Sequence, residues 1–202
     1  MAARKGSCDW RFDAGRLCLD LVATGAGSPG VPDPLDRPER LADWLVASRT
    51  VPQGTRLAHV DHNWLVLFRQ LRTAVDRLLT AQLDGRGAEG ALDRVNALAA
   101  GAPPGVRAVR TGSGALVRGL STEPDCRALL AAVARDAVEL LTDPVALGGL
   151  RRCEGDNCRR IYLDTSRGRR RRWCSGEGCG NRERVARHRR RNAGPAGGPA
   201  GR

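Results

Sequence analysis

Apolar positions recur along the chain in a few rhythms, and each rhythm predicts an element. The longest runs through residues 56–83, where Leu57, Val60, Trp64, Leu67, Leu71, Val75, Leu78 and Leu79 return at helical spacing. Such a repeat lines one side of an α-helix. A second long helix is predicted over 123–142, with Leu129, Leu130, Val133, Ala137, Leu140 and Leu141 on its buried side, and Asp143-Pro144 ends it. A shorter helix follows Asp36, read as its N-cap, with Pro38 in the first turn and Leu41, Trp44 and Leu45 as its face. Another covers 88–100. Alternation marks other segments. In "WRFDAGRLCLDLVAT" (10–24), Leu17, Leu19 and Leu21 alternate with Cys18, Asp20 and Val22. That pattern predicts two short strands around a turn at Ala14-Gly15-Arg16. Residues 25–36, rich in Gly and Pro, read as a loop, and 105–121 as a hairpin turning at Gly112-Ser113-Gly114. Residues 10–149 therefore predict a mainly helical α+β domain with short β-hairpins.

Composition changes this picture in two ways. Hydrophobic residues make up 41% of the 202 positions but aromatics only 3%, so the core must be aliphatic. The net charge of +12 is unevenly placed: residues 151–202 hold 16 Arg against 5 acidic residues, and residues 1–150 hold 18 cations against 17 acids. Concentrating the excess in one segment points to a polyanion partner. No apolar run approaches the length of a membrane span. Arg16 and Asp20 interrupt the first apolar stretch, which makes it a poor signal peptide. A cytoplasmic protein is expected, and there cysteines are reduced or bound to metal. No catalytic motif is visible, so no enzyme is expected. His59 and His62 lie three apart on the predicted helix without further ligands and read as helix surface. Cys8, Cys18 and Cys126 share no spacing and read as ordinary small side chains.

The other four cysteines do share one. Cys153, Cys158, Cys174 and Cys179 form C-x4-C, fifteen residues, then C-x4-C. Two close pairs across a short spacer are the grammar of a structural zinc site, and four thiolates leave no open position for catalysis. Gly155, Gly176 and Gly178 supply permissive dihedrals for the metal loops. Nearby arginines offset the thiolate charge. The spacer "RRIYLDTSRGRRRRW" (159–173) predicts a hairpin, with Ile161 and Leu163 on one side, Tyr162 and Asp164 on the other, and a turn over 164–168. With so few core residues, metal binding must supply much of the folding free energy, on the order of 10 kcal/mol.

The segment "CEGDNCRRIYLDTSRGRRRRWCSGEGCGNRERVARHRRR" resembles the CGNR-type zinc finger, through Cys179-Gly180-Asn181-Arg182, both cysteine pairs, "DTSR" (164–167), "RRWCS" (171–175) and "ARHR" (186–189). It departs from that pattern at Gly168 and Gly176, which leaves the cysteine frame intact. "FDAGRLCLDLVAT" (12–24) and "LADWL" (41–45) resemble the ABATE domain that precedes this finger and is described as a stress-induced transcription regulator. The resemblance implies DNA binding. It also implies an ABATE-like domain over 10–149 followed by a finger over 150–192; the remaining residues 193–202, "AGPAGGPAGR", are low-complexity and are expected to be a disordered tail.

A helix over 180–192 separates its residues into two sides. Arg182, Val185, Ala186 and Arg189 fall on one, with Val185 and Ala186 expected to pack on the metal hairpin and Arg182 to brace it against Asp164 or hairpin carbonyls. Arg184, Arg187, His188 and Arg191 fall on the other, the expected nucleic-acid face, and Arg169, Arg170, Arg171 and Arg172 are expected to add phosphate contacts. The reading is a DNA-binding transcriptional regulator with one structural Zn(2+), acting on duplex DNA. Its N-terminal domain would sense a small-molecule effector or form a homodimer. The alternative is an RNA-associated or protein-interaction adaptor using the same basic module. The finger offers only Tyr162 and Trp173 for base stacking, which disfavours single-stranded RNA.

Overall fold

A computed structural model describes residues 10–26 and 30–192. The predicted tail over 193–202 and Cys8 lie outside the described residues. The chain builds α1 (Leu17–Gly25), α2 (Pro38–Ala47), α3 (His62–Leu83), α4 (Glu89–Ala99), β1 (Val106–Arg110), β2 (Leu116–Leu120), α5 (Cys126–Thr142), the short α6 (Pro144–Leu147), β3 (Leu150–Arg152), β4 (Ile161–Leu163) and α7 (Asn181–Asn192). The architecture is α+β: helices dominate, and the described strands form two separate antiparallel pairs, β1–β2 and β3–β4.

The long periodic helices form as expected because they carry both a wide apolar stripe and a local cap. Asp125 accepts from the Ala128 N–H at 2.8 Å to start α5. Asp143 accepts from Val145 and Ala146 and so begins α6 where α5 stops. α3 begins later than the predicted residue 56. Asp61 caps it by accepting from the Trp64 N–H at 3.0 Å, and the chain before it is irregular. His59 therefore lies off the helix, beside Glu123 at 3.1 Å, and His62 begins it. In α2, Pro38 takes the first helical position and forces Arg37, not Asp36, into the extended capping conformation (φ −149°, ψ 161°).

The predicted strands over 10–24 are wrong: Leu17–Gly25 is helical. Cys18, Leu19, Leu21 and Val22 are all buried, so the segment is apolar almost all round and has no face to read. A short apolar run of this kind looks alike in a strand and a buried helix. Its cap is also remote. Arg16 offers no capping side chain, and the Cys18 N–H donates instead to Asp136 Oδ2 of α5 at 2.8 Å.

α5 packs against α1, α3 and α4, and this cluster holds the core. Trp44 and Phe68 meet edge to face at 6.5 Å within it. The same continuous core reaches Leu150, Ile161 and Tyr162 of the second hairpin.

Candidate metal centre

The cysteine loops are built on β3 and β4. The strands pair Leu150 with Leu163, Arg151 with Tyr162 and Arg152 with Ile161. The first C-x4-C is thus the tip of this hairpin, which corrects the hairpin predicted within 159–173. β4 pairs backward to 150–152, where the Asp164 N–H donates to Gly149 O and the Cys153 N–H to Arg160 O, and its other edge is taken by the Leu163 N–H donating to Ala14 O, so residues 169–173 find no free edge there. The downstream limb is stitched on by the Glu154 N–H donating to Arg172 O at 3.0 Å and by Arg172 Nε donating to Glu154 Oε2 at 2.6 Å.

These elements bring all four sulfur atoms within 4.8 Å of one another. Cys158 and Cys174 stand 3.7 Å apart, as do Cys174 and Cys179. A disulfide needs about 2.05 Å, which these pairs far exceed. A regular tetrahedron with Zn–S of about 2.3 Å has edges of about 3.8 Å. Cys153, Cys158, Cys174 and Cys179 are therefore positioned to bind one zinc ion. Cys153, Cys174 and Cys179 are buried and Cys158 is half-buried. The expected permissive dihedrals are not used, since Gly155, Gly176 and Gly178 do not take a positive φ; Gly155 serves by its size, because a Cβ there would stand 3.3 Å from Cys179 Cβ and 3.4 Å from its Sγ, a tight fit against a cysteine of the cluster.

The free thiols would share protons unequally. A hydrogen bond from the Cys174 thiol draws Cys158 down to about 5, and the same bond, together with burial, pushes Cys174 up. Zinc binding displaces such protons, so affinity climbs with pH. Two further donors reach the sulfurs: the Cys174 N–H to Cys153 at 3.3 Å and Arg182 Nη2 to Cys179 at 2.9 Å.

Arg182 thus meets a metal ligand directly, not Asp164. Asp164 is itself buried and accepts from the Ser166 and Arg171 N–H groups, each at 2.9 Å. Arg171, expected at the phosphates, is instead half-buried. Its Nε donates to Trp173 O at 2.8 Å, its Nη2 donates to Cys174 O, and its guanidinium lies 4.8 Å from the centroid of the Tyr162 ring. The physical reason is the carbonyls of the second cysteine loop, which need donors and have no sheet partner there. Tyr162 completes this brace by donating its hydroxyl to Arg171 O, and its full burial removes it from any stacking surface. The Tyr162–Arg171 contact had no signal in the sequence beyond a tyrosine near an arginine run. Arg172 pairs with Glu154 and covers Trp173, at 5.3 Å from the ring centroid. Arg169 and Arg170 are exposed.

A turn of π-helix, Gly176–Gly180, carries Cys179 into α7. Ser175 starts it, accepting from the Gly178 N–H at 3.0 Å, and the Gly180 N–H donates to Ser175 O at 2.9 Å. The widened turn resets the helical phase. The packing stripe runs Cys179, Glu183, Ala186; Glu183 and Ala186 are half-buried, and Val185, expected to pack, is 43% exposed. Arg184 Nη2 donates to Gly176 O at 3.3 Å, and His188 bonds Asn192 at 3.1 Å. Arg187, Arg189, Arg190 and Arg191 are exposed and have no ion-pair or hydrogen-bond partner among the described residues.

No curated protein matches the chain. Residues 150–192 match the family described as "CGNR zinc finger". Residues 15–144 match ABATE, described as "Putative stress-induced transcription regulator". With a helical domain of that kind leading into a four-cysteine centre, the chain belongs to the ABATE family and ends its described part in a CGNR zinc finger.

Proposed function

We propose that the protein is a transcriptional regulator that binds duplex DNA through α7. One observation carries the reading: an exposed helix with six arginines and one glutamate leaves the metal centre, and four of those arginines have no partner within the chain. Exposed arginines without internal partners are free to contact phosphates, and arginine also reads guanine edges bidentately. Arg184, Arg187, His188 and Arg191 share one side of α7 and form the contact face, with Arg169 and Arg170 as outlying phosphate contacts. Arg182 stays with the metal, where it braces the cluster. The helical domain carries sensing or self-association.

The test is binding of zinc-loaded protein to duplex DNA across a salt series. If the face neutralises about five phosphates, log K falls against log salt with a slope of about −4.5. Replacing Arg184, Arg187 and Arg191 together by alanine abolishes binding while zinc content and helicity stay unchanged. A flat salt response, or affinity that survives the triple replacement, overturns the reading.

A further inference from the structure

A groove of about 780 Å³ lies between α3 and the start of α4, far larger than a water site and within the range of small-molecule pockets. Its lining divides into two chemistries. Val66, Ala74 and Ala91 give an apolar floor, while Arg69, Arg77 and Arg94 bring three guanidinium groups to the wall. One acid, Glu89, shares the lining; it forms no ion pair with these arginines among the described residues, and its Oε1 lies 2.7 Å from where a Cβ at Gly87 would stand.

The guanidinium charges are poorly matched inside the chain. Arg77 has no ion-pair or hydrogen-bond partner among the described residues. Arg94 donates to Gln70 Oε1, a neutral acceptor that leaves its charge uncompensated. Arg69 donates to Leu35 O at 2.8 Å and lies 3.5 Å from Asp33, whose nearer partner is Arg72 at 2.5 Å. α4 opens into the same groove from Ala88, which has no side chain able to cap it, and its first N–H groups add positive potential.

We infer that this groove binds a small organic carboxylate with an apolar body. The floor takes the body, and Arg77 and Arg94 take the carboxylate through charge-assisted hydrogen bonds. Arg77 stands on α3 just before Thr80 and Asp84, which hold Arg152 of β3 at 3.2 Å and 2.6 Å. The groove and the zinc hairpin thus both lie against α3, the hairpin at its C-terminal end. The inference gives a ligand class to the sensing role proposed above and rests on that role only for its regulatory meaning. Binding itself is read without DNA, so failure of either reading leaves the other standing.

The experiment is calorimetric titration of the zinc-loaded full chain with 2-naphthoate, with 2-naphthylmethanol and with inorganic phosphate. Saturable binding of naphthoate is expected. The neutral alcohol and phosphate should each bind weaker by roughly tenfold or more, as should naphthoate to the Arg77→Ala/Arg94→Ala protein. That double variant should keep the parent melting temperature without ligand, because neither side chain closes an ion pair. Arg127→Ala, an exposed charge on α5, should bind as the parent does. Absence of naphthoate binding overturns the inference. So does equal affinity for the alcohol or for phosphate, or undiminished binding by the double variant.

Discussion

Burial holds the Asp20 carboxyl up to about 6, well above the usual carboxylate range, although the Ala14 N–H donates to it at 3.2 Å. The raised value means the folded chain binds this proton more tightly than the unfolded chain does. The stability it contributes is fully present below about pH 3.8 and is lost as pH rises through about 6. Asp20→Asn keeps an oxygen for the Ala14 N–H and removes the charge. Its melting temperature should exceed the parent's at pH 7.5, and the gap should close as pH falls to 4.5. A constant gap over that range would show that Asp20 is not the titrating group. Single residues were legible where their chemistry is local. The four cysteines announce their metal by spacing alone. Arg171 and Arg182 look like their neighbours in sequence, and only the third dimension ties one to the Trp173 and Cys174 carbonyls and the other to Cys179 Sγ.

The elements divide in a similar way. α3 and α5 are legible because their apolar stripes are long and an aspartate starts each. α1 is not, because its cap is Asp136, more than a hundred positions away, and its burial is nearly complete. β4 is legible but its partner is not, since pairing is decided along the strand's two edges, which Gly149, Cys153 and Ala14 occupy by backbone hydrogen bonds, not by the alternation of Ile161 and Tyr162. The turn ahead of α1 matters more than its strand reading implied. Gly15 has φ +97°, and a Cβ there would stand 3.0 Å from Leu163 Cβ. The neighbouring Ala14 O accepts from the Leu163 N–H at 2.8 Å. Gly15→Ala meets both a left-handed backbone and a backbone-to-strand contact, and should cost about 1–3 kcal/mol. Denaturant unfolding measures it. An unchanged midpoint would mean that β4 is not held by this turn.

Across the whole molecule, the metal-bearing hairpin and the helices share one interior. Leu150, Ile161 and Tyr162 belong to the same buried cluster as Leu19, Phe68 and Leu140. Arg160 meets Asp13 at 2.8 Å and Arg152 meets Asp84 at 2.6 Å across the same junction. No helix of the described residues is long and apolar enough to cross a membrane. A shared interior predicts shared unfolding. Zinc-loaded protein should melt in a single transition, and a chelator should lower that transition as a whole, since a structural zinc ion contributes on the order of 10 kcal/mol. Two transitions, with the helical one indifferent to chelator, would show that the halves unfold separately.

The π-helical turn has a further consequence for the arginine helix. It ties the azimuth of α7 to Cys179, a metal ligand, so the compass bearing of every side chain on that rod is set from its root. Inserting or deleting a single residue between Cys179 and Arg184 would swing the rod's basic edge by about 100° without touching its composition. Such an insertion should weaken DNA binding as much as the triple arginine replacement does, with the number of arginines and the four cysteines unchanged.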